Sequence, residues 1–111
     1  MVILAVQTNP FHRIFDKIGH TPLIPLKKVG SRGMKLYAKL EWANPFGSVK
    51  DRPAWWMIQE GERQGILKKG ESIIIEPTSG NTRVALAGMC QALGYKAEMV
   101  VPKRVSSETK G

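Results

Sequence analysis

Ser72-Ile73-Ile74-Ile75-Glu76-Pro77-Thr78-Ser79-Gly80-Asn81-Thr82 sets the architecture of this chain. Three consecutive isoleucines form a short β-branched run, which predicts a buried strand that Pro77 ends. The residues behind it, Val84-Ala85-Leu86-Ala87-Gly88-Met89-Cys90-Gln91-Ala92-Leu93-Gly94, have helical propensity, apolar groups on more than one face and a glycine stop. A hydroxyl-rich turn containing a glycine lies between strand and helix. Such a turn makes an anion site, because backbone N–H groups and the helix dipole converge on the ligand and hydroxyls add donors. A carboxylate or a phosphate would suit it. On local sequence alone, Thr78, Ser79 and Asn81 equally well only cap a helix.

Upstream lies Asn44-Pro45-Phe46-Gly47-Ser48-Val49-Lys50-Asp51-Arg52. It places a lysine at a helix start, where the partial positive charge favours Asp51 and disfavours a protonated Lys50. Ser48 with Asp51 fits the capping pattern Ser-x-x-Asp, and Pro53 suits a first helical turn. A lysine held there is pushed toward its neutral, nucleophilic form, as Schiff-base formation with an aldehyde cofactor requires. The plain alternative is a lysine that lies in water, as most lysines beside helix starts do.

The flanking segments complete a coarse map. Pro10 to Lys17 suggests a short helix with Phe11, Ile14 and Phe15 on one side. Thr21 to Leu26 is extended, since each proline restricts the residue before it. Met34 to Leu40 alternates and reads as a strand. A helix from about Arg52 to Gln64 carries Trp55 and Ile58 toward the core and leaves Trp56 for an interface or for the missing domain. A last strand spans Lys96 to Val101, and Ser106 or Ser107 with Glu108 resembles another helix start. The order strand, helix, strand, helix, strand predicts an α/β fold with a parallel or mostly parallel sheet of about three strands and flanking helices. Ligands on such sheets sit at the carboxyl ends of strands, so Lys50 and the Thr78–Thr82 loop can face one crevice.

Together the two motifs resemble the cysteine synthase and cystathionine β-synthase family, pyridoxal-phosphate enzymes of the tryptophan-synthase-β fold type. Ile18-Gly19-His20-Thr21-Pro22-Leu23 is similar to the opening of these enzymes, with His20 where asparagine is usual. Lys39-Leu40-Glu41 and Met99-Val100-Val101-Pro102 fit as well. The resemblance runs from about Ile18 onward and implies specific roles. Lys50 is both the catalytic residue and the cofactor's covalent anchor. Asn81 bonds the cofactor's phenolic oxygen, and Thr78, Ser79, Gly80 and Thr82 grip the carboxylate of an amino-acid substrate. The implied chemistry is β-replacement: the leaving group of O-acetylserine or O-phosphoserine is eliminated and sulfide adds, giving L-cysteine. The wording Lys50-Asp51-Arg52-Pro53-Ala54 is similar to members that prefer O-phosphoserine.

The chain departs from the family pattern at two further places. Relatives continue well beyond Gly111 with a glycine-rich loop for the cofactor phosphate, and Gly30-Ser31-Arg32-Gly33 is no substitute. Residues 1–111 are therefore expected to be a single domain, the N-terminal part of a cysteine-synthase-like enzyme truncated before that loop, with little or no activity alone. Arg83 stands where glycine is usual. A solvated side chain, an extra cation for a phosphorylated substrate and a bulky closure of the carboxylate site all remain open. The alternative to an enzyme is a non-catalytic relative acting as a folded dimer or partner-binding module.

Composition narrows the classes further. The 111 residues are 42% hydrophobic, enough for one modest core. No apolar run reaches membrane-spanning length, and Met1 to Val6 is too short for a signal peptide's core. One cysteine forms no intrachain disulfide, so the expected location is cytoplasmic. Cys90 reads as a small core residue, and two histidines with one cysteine argue against a structural zinc site. The net charge of +8 would attract anionic partners. The basic residues are dispersed and aromatics do not interleave with them, which argues against a nucleic-acid platform. Exposed sheet edges predict a homodimer.

Overall fold

The computed structural model describes residues 12–30, 32–78 and 80–103. A short helix α1 (His12–Phe15) leads into two small strands, β1 (Leu23–Pro25) and β2 (Tyr37–Lys39), and a single 3-10 turn at Glu41–Ala43. Helix α2 (Asp51–Arg63), strand β3 (Ile73–Pro77), helix α3 (Asn81–Leu93) and strand β4 (Lys96–Val100) follow. Met1 to Phe11, Ser79 and the suggested helix start near Ser106 lie outside the described residues.

The core is where the two long helices meet the sheet. Ile58 and Ala54 of α2 and Ala85, Leu86, Met89 and Cys90 of α3 are buried, together with Phe15 and Tyr95. Spacings of three and four residues put these groups on one face of each helix. Ile74 of β3 and Met99 of β4 pack against the same cluster. Trp55 lies half-buried with its ring stacked on Phe15, centroids 4.3 Å apart, while Trp56 is exposed. Helix α3 stops at Gly94, whose φ of +83° is the left-handed geometry that glycine adopts without a Cβ penalty. The Gly94 turn lets the Tyr95 amide donate to the Cys90 carbonyl at 2.9 Å.

The α/β class holds, and β3 and β4 pair in parallel around α3, with Ile73 opposite Lys96 and Pro77 opposite Val100. The expected third strand does not join them. Instead β2 pairs antiparallel with β1, Leu23 opposite Lys39, so there are two two-stranded sheets among the described residues. Alternation in Met34 to Leu40 marks an extended segment but carries no information about its partner, and the extended Thr21 to Leu26 run lies closer in sequence. The Ile73–Ile75 strand also differs from a fully buried one. Ile73 and Ile75 are exposed, because α2 and α3 cover one face of the β3–β4 pair and successive side chains point to opposite faces. Pro77 is the last residue of β3.

Candidate active site

Lys50 occupies the N-cap of α2 with helical dihedrals, φ −70° and ψ −14°, and its side chain is exposed. The capping expected from Ser48 and Asp51 takes another form. Ser48 Oγ accepts the Lys50 amide at 3.1 Å, and Asp51 reaches back past Ser48 to accept the Phe46 amide through Oδ2 at 2.6 Å. The turn at Gly47, φ +93°, folds the loop back onto the first helical turn and puts the Phe46 amide within reach. Asp51 is fully buried and its Oδ1 has no hydrogen-bond partner, so burial pushes its carboxyl upward against the lowering effect of the backbone amides.

A polar network holds this loop in place. Arg52 makes a bidentate pair with Glu41, Nε to Oε2 at 2.8 Å and Nη2 to Oε1 at 2.9 Å, and donates to the Gly19 carbonyl at 3.0 Å. Thr21 Oγ1 donates to Glu41 Oε1 at 2.8 Å. Lys39 Nζ bonds the Thr21 carbonyl. Buried Asn44 accepts the Gly19 amide at 2.8 Å and donates to the Glu41 side chain and the Ser48 carbonyl, each at 2.9 Å. Hydrogen bonding to Arg52 and Thr21 brings the Glu41 carboxyl down to about 2. The close approach requires Gly19, φ +83°: a Cβ there would stand 2.8 Å from Arg52 Nη1. Three separated pieces of sequence, Ile18–Pro22, Lys39–Glu41 and Asn44–Arg52, thus form one rigid mount for Lys50.

The second motif sits at the carboxyl end of β3. The Thr78 amide donates to the Val100 carbonyl at 3.1 Å, which ties the loop to the end of β4. Gly80 is the N-cap of α3, Asn81 is exposed in its first turn, and Thr82 and Arg83 are half-buried behind it. The Arg83 amide donates to the Gly80 carbonyl at 3.1 Å. Ser79 lies outside the described residues.

Each of the two motifs stands at the start of one of the two long helices. Tyr95, just after α3, donates its hydroxyl to Glu62 at the far end of α2, at 2.7 Å. The carboxyl ends of α2 and α3 are therefore neighbours, and the two helices pack together. An amine, an exposed amide side chain and hydroxyl donors at two helix starts form a donor set that suits the carbonyl end of an aldehyde cofactor and a carboxylate. The sequence signal for Lys50, Thr78, Gly80, Asn81 and Thr82 was local. Glu41, Asn44 and Arg52 were not read as the mount, because their partners are remote in the chain.

Residues 14–111 match the model of the pyridoxal-phosphate dependent enzyme family, and the chain belongs to that family. Among its relatives is the cysteine synthase of Staphylococcus aureus, 46% identical over 103 residues that cover 92% of this chain and 33% of the relative. The cystathionine beta-synthase of Saccharomyces cerevisiae is 44% identical over 105 residues, 92% of this chain and 21% of the relative. A hydrogen sulfide-producing enzyme from Fusobacterium nucleatum superposes with a TM-score of 0.81 at 42% identity, covering 87% of this chain and 32% of that one. The chain thus spans about a third or less of the length of these relatives.

Proposed function

We propose that this chain supplies the cofactor lysine and the substrate-carboxylate loop of a cysteine-synthase-like enzyme. The observation that supports the reading is that Lys50 and the Thr78–Thr82 loop stand at the starts of two helices that pack together, in a chain 46% identical over 103 residues to a cysteine synthase. Lys50 holds pyridoxal phosphate through its amine and carries a proton to and from the substrate's α-carbon. Asn81 donates to the cofactor's phenolic oxygen. Thr78, Ser79, Gly80 and Thr82 hold the substrate carboxylate through hydroxyls and backbone N–H groups, with the helix dipole adding attraction. When bound, the cofactor supplies the electron sink for β-replacement. The substrates are O-acetylserine or O-phosphoserine and sulfide, and the product is L-cysteine.

In this reading residues 1–111 are one domain that contributes the N-terminal part of the enzyme. The work belongs in the cytoplasm, a compartment that keeps the lone Cys90 a thiol. Among the described residues no helix is long and apolar enough to cross a membrane.

The test is a visible absorbance titration of the purified chain with pyridoxal phosphate, with Lys50→Ala as control. The expected result is at most a weak saturable band, and one that requires Lys50. A band of equal size in Lys50→Ala sinks the assignment of this lysine.

A second reading is a non-catalytic homodimer or partner-binding module. It is favoured by the exposed Ile73, Ile75 and Val100 on the uncovered face of the β3–β4 pair. Strong self-association without any cofactor band would select it.

A further inference from the structure

The polar mount fixes the lysine loop to β1, β2 and the 3-10 turn, and the bonds described above do not extend to α3, which carries the other half of the proposed site. Phe46 does. Its amide is held by the buried Asp51 carboxylate at 2.6 Å, which fixes the backbone of the turn, and its ring lies directly across Gly88 of α3. A Cβ on Gly88 would stand 2.5 Å from Phe46 Cδ1 and closer still to Cε1. Those are rigid ring atoms, and Phe15 backs the ring with centroids 6.3 Å apart and planes tilted by 42°.

Glycine inside a helix is unfavourable relative to alanine, so its presence at residue 88 calls for a packing reason, and the Phe46 ring supplies one. Gly88 lies about two turns, roughly 10 Å, along α3 from Asn81. Phe46 lies in the same short loop as Lys50. A ring seated in a glycine notch sets the spacing of the two elements and their rotation about each other.

We infer that Phe46 and Gly88 form a positioning lock that holds the loop carrying Lys50 in register with the helix carrying Asn81 and Thr82. The inference rests on the reading of Lys50 and the Thr78–Thr82 loop as one site. Neither Phe46 nor Gly88 touches substrate; they act through the residues they place. Misplacement of reacting groups by about 1 Å costs on the order of 100-fold in rate, so such a lock has functional weight.

The experiment compares the wild-type chain, Gly88→Ala, Phe46→Leu and the double variant by two readouts. Amide hydrogen exchange asks whether the lock exists. Alanine in a helix would by itself slow exchange in α3. The lock instead predicts that Gly88→Ala speeds exchange at least tenfold at both the Phe46–Asp51 loop and the first turn of α3. It leaves the β1–β2 pair unchanged, and Phe46→Leu in the double variant restores protection. Pyridoxal phosphate titration asks whether the lock matters: Gly88→Ala should weaken the Lys50-dependent band about tenfold, with recovery in the double variant. Slowed exchange, change confined to the turn around residue 88, or no rescue overturns the lock. Normal cofactor titration in a Gly88→Ala chain whose loop has loosened overturns its positioning role. A wild-type chain without a Lys50-dependent band removes the cofactor reading, and the exchange measurement still decides the lock.

Discussion

At the residue scale, two neighbouring carboxylates respond to pH in opposite directions. The Glu41 carboxyl is held at about 2 against an ordinary 4.5, so the folded state favours its charged form. Its contribution is complete above pH 4.5 and is lost as pH falls from 4.5 toward 2. Glu41→Gln should therefore lower the urea midpoint at pH 7, and the gap to wild type should close near pH 2. A gap independent of pH would show that the Arg52 pair is not what Glu41 provides. Asp51 behaves conversely. Its carboxyl is raised by burial, so the folded state favours the neutral form and stability declines as pH rises through the folded value. Asp51→Asn keeps an oxygen for the Phe46 amide and should flatten that decline, measured as urea midpoints between pH 4 and 7. Lys50 and Asn81 were legible in the sequence because short motifs place them at helix starts. Asn44 was not legible as a keystone. Its bond to Gly19 joins positions 25 apart, and no local periodicity signals such a pairing.

At the element scale, the helices were legible and the strand partners were not. The Gly94 stop fixes the end of α3, whose start at Asn81 falls three residues before the predicted Val84, and α2 begins at Asp51 next to the predicted Arg52. Strand pairing depends on which segments meet in space, and β2 found β1 rather than β3. A contact between α2 and the end of α3 is also non-local: the Tyr95 hydroxyl donates to Glu62, and burial, together with that hydrogen bond, raises the Tyr95 phenol to about 12. Tyr95→Phe keeps the ring in the core and removes that bond. It should cost about 1 kcal/mol in chemical unfolding. A loss well above that would mean that the hydroxyl also sets helix alignment.

At the scale of the whole molecule, the β3–β4 pair is covered on one face only among the described residues. Parallel strands are normally covered on both faces. On the bare face, Lys96 and Glu98 blunt β4, whereas β3 offers Ile73 and Ile75 beside an unpaired strand edge. An identical strand is the natural complement of that edge, and on this ground we propose that the isolated chain pairs through β3. Sedimentation should give twice the monomer mass at tens of micromolar, as an order of magnitude, and Ile75→Lys should return it to the monomer. A wild-type chain that stays monomeric at that concentration rules this pairing out.

The burial of Cys90 has a practical corollary. It is the sole thiol in the chain, it is sealed in the α2–α3 core, and burial raises its pKa, so it resists deprotonation in place. A thiol reagent in the surrounding solution must wait for α3 to separate from its neighbours. The chain thus carries its own clock for opening: the labelling rate of one atom, Cys90 Sγ, times how often the helix that begins at Asn81 comes away from the helix that begins beside Lys50.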